Sequence, residues 1–141
     1  MIVVPDVSVL WKWVLEQDDE PNHHQAMNLQ QAILDEKIEL RLPTLWRFEI
    51  GNVLGLQQPR LAAELLKALL AFEFEEEPLS SDYAVDALAH MQKAGRVTFY
   101  DSVYHVLALR TQGLYLTADS AYDKRAQSKR HLMLLSDWEG P

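Results

Sequence analysis

The sequence predicts an α/β fold: a three-layer α/β/α sandwich around a central, mostly parallel sheet. Three observations lead there. Short apolar runs rich in β-branched residues, such as Ile2-Val3-Val4, recur between longer stretches whose apolar residues fall at helical spacing. Strands separated by helices imply right-handed crossovers, and so a parallel sheet covered on both faces. The chain has 141 residues, 48% of them hydrophobic and 24% charged, and shows no repeat, low-complexity tract or Gly/Ser linker, so residues 1–141 are expected to form one domain.

The elements follow in order. Ile2-Val3-Val4 reads as a buried strand that stops at Pro5-Asp6, because Pro5 cannot donate to a ladder. Ser8 is placed to cap a helix with Val9, Leu10, Trp13 and Val14 at helical spacing. A second helix after Pro21 carries Ala26, Leu29, Ile33 and Leu34 on one stripe, and Ile38 to Leu42 reads as the next strand. Thr44 is the expected cap of a helix from Leu45 to Leu56, which aligns Glu49, Asn52 and Val53. Pro59 opens a helix from Arg60 to about Phe72. Phe72-Glu73-Phe74-Glu75 alternates like an edge strand, with a longer helix as the competing reading.

Ser80 or Ser81 caps a helix through Lys93 that Gly95 ends. The next helix carries Asp101, Tyr104, His105 and Ala108 on one face, with Gly113 as its stop. Leu114-Tyr115-Leu116 is then a strand ending at Thr117-Ala118-Asp119, followed by a helix from Ala121 to Lys129 and a strand from Leu132 to Leu135.

Cysteine is absent, which excludes disulfides, thiolate metal sites and cysteine nucleophiles and suits a reducing cytoplasm. The start MIVVPDVS lacks a basic leader and a membrane-length apolar run, so a cytoplasmic protein without a membrane partner is expected. The formal charge of −8 weighs against broad nucleic-acid binding. Much of the acid lies in Asp18-Asp19-Glu20 and Glu75-Glu76-Glu77, read as solvated loops. A late basic stretch, Lys124, Arg125, Lys129, Arg130 and His131, suits either a phosphate backbone or a solvated helix face.

Ligands of parallel α/β sheets bind outside the carboxyl ends of the strands. Asp6 and Asp119 directly follow strands, and Glu49 and Asp101 lie near the starts of helices, so all four can face one rim. Four carboxylates in a partly desolvated site repel unless protons or cations compensate. Oxygen-only donors favour Mg²⁺ or Mn²⁺, whose bound water is acidified and can attack a phosphodiester. Ser8 and Thr117, each two residues from an aspartate, and Asn52, one turn beyond Glu49, are candidates to orient the carboxylates. Asp123 is a candidate outer ligand or a surface residue. Taken singly, Asp6 or Asp119 could equally be a helix cap, and His105 is expected to pack in the core or bond at the rim rather than ligate. Trp11, Trp13 and Trp46 read as core, with part of the set available to a partner helix.

The ordered pieces PDVS, FEIGN, FYDSVYHVLA and LTADSAY resemble the PIN-domain family, specifically the VapC-type toxin ribonucleases of bacterial toxin–antitoxin systems, over nearly the whole chain. The resemblance implies a PIN-like fold and Mg²⁺ or Mn²⁺ held mainly by Asp6 and Asp101, with Glu49 and Asp119 completing the acidic cluster. It also implies cleavage of single-stranded RNA, a homodimer, and inhibition by a small antitoxin whose C-terminal segment wraps the toxin. The chain departs from the family pattern at Pro5, usually apolar, at His105, commonly apolar or aromatic, and in its acidity. Rival readings are an inactive PIN-like module that only binds a partner, and a related nuclease acting on DNA. A receiver-type phosphoacceptor domain fits poorly, because it needs two adjacent acids after the first strand and a late Lys after a strand.

Overall fold

The computed structural model describes residues 1–14 and 21–141; the acidic run at 18–20 lies outside the described residues. Strands β1 (Ile2–Pro5), β2 (Glu39–Pro43), β3 (Glu75–Glu77), β4 (Leu114–Thr117) and β5 (Leu132–Leu134) form one sheet in the order β3-β2-β1-β4-β5. Every pairing is parallel, with Val3 opposite Leu40 on one side and Leu114 on the other.

The helices are α1 (Val7–Val14), α2 (His23–Leu34), α3 (Trp46–Gln57), α4 (Ala62–Leu70), α5 (Ser81–Ala94), α6 (Phe99–Thr111) and α7 (Ser120–Arg125). The chain steps outward from β1 to β2 and β3, then returns past β1 to β4 and β5. Right-handed crossovers therefore put α1 to α4 on one face and α5 to α7 on the other. The packing agrees: α1 lies against α2 and α3, while α5 lies against α6, which spans β1, β2 and β4. This is the α/β/α sandwich expected, with all strands parallel. The reversal of direction falls between β1 and β4, the switch point at which such sheets bind ligands.

The core runs through the sheet, where Val3, Val4, Leu42, Tyr115 and Leu116 are buried, and into α6, in which Ser102 to Ala108 are all buried. A helix enclosed on all sides cannot show a clean amphipathic stripe. No helix among the described residues is long and apolar enough to cross a membrane.

Local chemistry explains most ends. Ser80 accepts from the Tyr83 amide at 3.2 Å and Thr98 from the Asp101 amide at 3.1 Å, so both cap helices, and Gly95 ends α5 with φ 77°. Elsewhere the structure corrects the sequence reading. Ser8 does not cap α1; Asp6 does, accepting from the Ser8 amide at 2.9 Å. Thr44 makes no cap bond to α3, which begins at Trp46. Helix α4 covers only Ala62–Leu70. The edge strand is Glu75–Glu77, so these glutamates are not loop: Glu76 accepts from the Trp46 indole and from Arg47 at 2.6 Å. Phe72 and Phe74 instead stack on each other and pack around Trp13 and Trp46. Helix α7 stops at Arg125, well short of Lys129, as Ala126 turns extended.

The stop of α6 is Gln112, at φ 54°, not Gly113. Gly113 serves close approach: a Cβ there would lie 2.8 Å from the Ile2 carbonyl oxygen on the neighbouring strand.

Candidate active site

Asp6 leaves the end of β1 with its amide still bonded to the Leu116 carbonyl at 3.1 Å, so the ladder fixes its backbone. Four donors hold its carboxylate. Oδ1 accepts from the Ser8 amide and the Ser8 hydroxyl; Oδ2 accepts from the Tyr115 phenol at 2.9 Å and the Thr117 hydroxyl at 2.6 Å. Tyr115 and Thr117 are two apart on β4 and so share a face. The two hydroxyls relay backbone amides to the same carboxylate, Ala118 N–H to Ser8 Oγ at 2.9 Å and Asp119 N–H to Thr117 Oγ1 at 3.0 Å. Ser8 and Thr117 thus orient Asp6. Burial still pushes its pKa up, against the pull of the four donors.

Glu49, in the first turn of α3, accepts from the Tyr104 phenol at 2.7 Å. Burial raises its pKa, the Tyr104 bond lowers it, and the charges of Asp6 and Asp101 raise it further. Asp101 occupies the first turn of α6. Burial raises its pKa, the bond with Thr98 lowers it, Asp119 raises it and Arg125 lowers it. Asp119 caps α7, accepting at Oδ1 from the Ala121 amide at 2.9 Å and the Tyr122 amide at 3.2 Å. For Asp6 and Asp119, then, capping and a place in the site are the same arrangement rather than alternatives.

All four carboxylates line one pocket of about 330 Å³, together with Ser8, Asn52, Trp11, Val7, Val53 and Tyr104. Asn52 borders it one turn beyond Glu49. Asp123 lies outside that lining and pairs with Lys129 at 2.9 Å. His105 is buried away from the pocket, while Trp13 and Trp46 are core and Trp11 alone of the three reaches the rim. Sequence reasoning missed Tyr115 as a partner of Asp6; its position two before Thr117 on a strand was the available signal.

Among the described residues, no three His, Asp or Glu side chains converge tightly enough to enclose a bare metal ion. The donors nevertheless fit a hard, hydrated cation. They are all oxygen, the pocket has room for retained water, and burial raises the pKa of three carboxylates, with like charge adding at Glu49 and Asp101, a penalty on the ionised forms that a cation would relieve.

A parallel α/β sandwich with a carboxylate-lined pocket at its switch point defines the class. The PIN domain family model matches residues 3–127, and the chain belongs to the PIN family, whose domains are generally nucleases. Among solved structures it is similar to VapBC2 from Rickettsia felis bound to a DNA fragment from their promoter, at 13% identity and TM-score 0.67 over 95% of this chain and 97% of that one. It is also similar to FitAB bound to an IR36 DNA fragment, at 14% identity and TM-score 0.59 over 96% and 95% of the two chains. At these identities the likeness is one of fold. No curated protein sequence matches the chain.

Proposed function

We propose that the chain is a Mg²⁺- or Mn²⁺-dependent endoribonuclease of the VapC type, cleaving single-stranded RNA as the toxin of a toxin–antitoxin pair. The observation that carries this reading is the gathering of Asp6, Glu49, Asp101 and Asp119 around one pocket at the β1/β4 switch point. Residues 1–141 act as a single domain in this reading. The partner is a cognate antitoxin, by analogy with the VapBC2 and FitAB assemblies, and the toxin works in the cytoplasm as a homodimer.

Asp6 and Asp101 hold the metal, with Glu49 and Asp119 in support. The chemistry bound Mg²⁺ or Mn²⁺ supplies is acidification of water and neutralisation of phosphate charge. The chain does the rest. Ser8, Tyr115 and Thr117 fix Asp6 in one rotamer, so that no reorganisation is needed when substrate arrives. Tyr104 fixes Glu49 at Oε1 on the pocket lining; with its raised pKa, Glu49 is suited to take the proton of the attacking water there. Exposed Lys124 and Arg125 in the last turn of α7 offer positive charge to the RNA backbone beside Asp119.

The test is cleavage of single-stranded RNA and single-stranded DNA of one sequence, with EDTA, then with Mg²⁺ or Mn²⁺ restored. RNA cleavage that stops with EDTA and returns with metal is expected. Cleavage indifferent to EDTA would defeat the mechanism, and preference for DNA would defeat the substrate assignment.

A further inference from the structure

Behind the pocket, His105 is 1% exposed and uses both ring nitrogens. Nε2 lies 2.7 Å from the Arg130 carbonyl oxygen and Nδ1 2.7 Å from the Tyr122 phenol oxygen. A carbonyl only accepts, so Nε2 carries the hydrogen, and in the neutral ring Nδ1 then accepts from the phenol. His90 backs the ring at 4.8 Å, edge to face, with its Nδ1 3.1 Å from the Ser102 hydroxyl.

Tyr122 is fully buried, and its backbone N–H donates to Asp119 Oδ1. A continuous path thus runs from His105 on α6, through the phenol and backbone of Tyr122, to the Asp119 carboxylate. Helix α7 has six residues, too few to hold itself by its own hydrogen bonds, so its placement depends on such anchors. Asp101 sits one turn before His105 on α6. One helix therefore carries one carboxylate directly and locates another through a side-chain strut.

We infer that His105 and Tyr122 are positioning residues, a strut that sets the Asp119 carboxylate against Asp101 and so tunes cation affinity. An apolar or aromatic side chain at 105 would fill the space but leave the phenol and the Arg130 carbonyl without this partner. The inference rests on the site reading above. It goes beyond that reading by assigning a role to two side chains that do not themselves line the pocket.

The test measures Mn²⁺ binding to metal-free protein by calorimetry, alongside kcat and KM on single-stranded RNA. The proteins are wild type, Tyr122→Phe, His105→Phe, His105→Gln, Asp119→Asn and the Tyr122→Phe/Asp119→Asn pair. Loss of an outer partner of this kind weakens metal binding by roughly 10-fold or more. Tyr122→Phe and His105→Phe should show that loss, with kcat falling more than KM rises. His105→Gln, which can both donate to the carbonyl and accept from the phenol, should recover much of it. Because the strut acts through Asp119, Tyr122→Phe should weaken binding no further in the Asp119→Asn background. If His105→Phe does not fold, Tyr122→Phe decides alone. A folded Tyr122→Phe with wild-type Mn²⁺ affinity, or an equal further loss in the Asp119→Asn background, overturns the strut. Wild-type protein that binds no Mn²⁺ overturns the site reading, and the strut with it.

Discussion

Acid should weaken this fold through His105 in a way one substitution can isolate. Burial, reinforced by the charges of His90 and His131 and opposed by the bond to the Arg130 carbonyl, pushes the imidazole from its ordinary 6.5 down to about 4. Its folded form is neutral where the unfolded chain takes up a proton. Stability is therefore present above pH 6.5 and is lost as pH falls from there toward 4. A gap of that size corresponds to about 3 kcal/mol in full, of which about 2 kcal/mol is lost by pH 5. Asp6, Glu49 and Asp101 work in the opposite sense, since carboxylates with raised pKa values destabilise the fold as pH rises through those values. They are common to both proteins, so a difference removes them.

The comparison is urea unfolding of wild type and His105→Phe at pH 7 and pH 5, without metal. At pH 7 the variant should be the weaker by about 2 kcal/mol or more, because the Tyr122 phenol and Arg130 carbonyl lose a partner inside the core. At pH 5 that difference should shrink by about 2 kcal/mol, since only wild type carries the acid-labile imidazole. A difference that stays constant to within about 0.5 kcal/mol across the two pH values would refute the buried neutral imidazole.

Asp101→Asn should reduce cleavage of single-stranded RNA by at least roughly 100-fold while raising the urea midpoint at pH 7, because it removes a ligand together with repulsion toward Asp119 and Glu49; single-turnover assays and unfolding curves check both halves. Tyr104→Phe should cost about 1–2 kcal/mol of stability by removing the charged hydrogen bond to Glu49. It should also move the acid limb of the cleavage profile to higher pH, since that bond holds the Glu49 pKa down. Gly113→Ala should lower stability by about 1–3 kcal/mol, read from the urea midpoint, because its Cβ would press on the Ile2 carbonyl and force β1 and β4 apart beside the site.

What the sequence made legible was local. Asp6 and Asp119 stand directly after apolar runs that become neighbouring strands, and Ser80 and Gly95 act within a turn of themselves. What stayed hidden was set by pairing across long separations. Tyr115 reaches Asp6 from more than a hundred residues away, and although Thr117 reads as an orienting hydroxyl, that its carboxylate is Asp6 depends on β4 pairing with β1. Three consecutive glutamates have poor strand propensity and become β3 only because β2 supplies a ladder and Arg47 and Trp46 hold Glu76. Gly113 resembles a helix stop by position, yet its reason is the backbone of a strand at the other end of the chain. The loss of the late basic helix is similar: Lys129 turns back to Asp123, and His105 claims the Arg130 carbonyl, so the stretch is pinned to the core instead of continuing as a helix.

The strand order also bears on how so acidic a chain, at −8, could hold RNA. Glu75, Glu76 and Glu77 occupy the β3 edge, while Lys124, Arg125, Lys129 and Arg130 gather around α7 and β5 at the opposite edge. The carboxylate pocket lies between, at β1 and β4. On the proposed function, Arg125, close enough to hold down the Asp101 pKa, offers the RNA backbone positive charge beside the site. Net charge is then a poor guide to substrate here, because the part of it inside the pocket is the part a cation neutralises, and the part at β3 lies across the sheet from the basic edge.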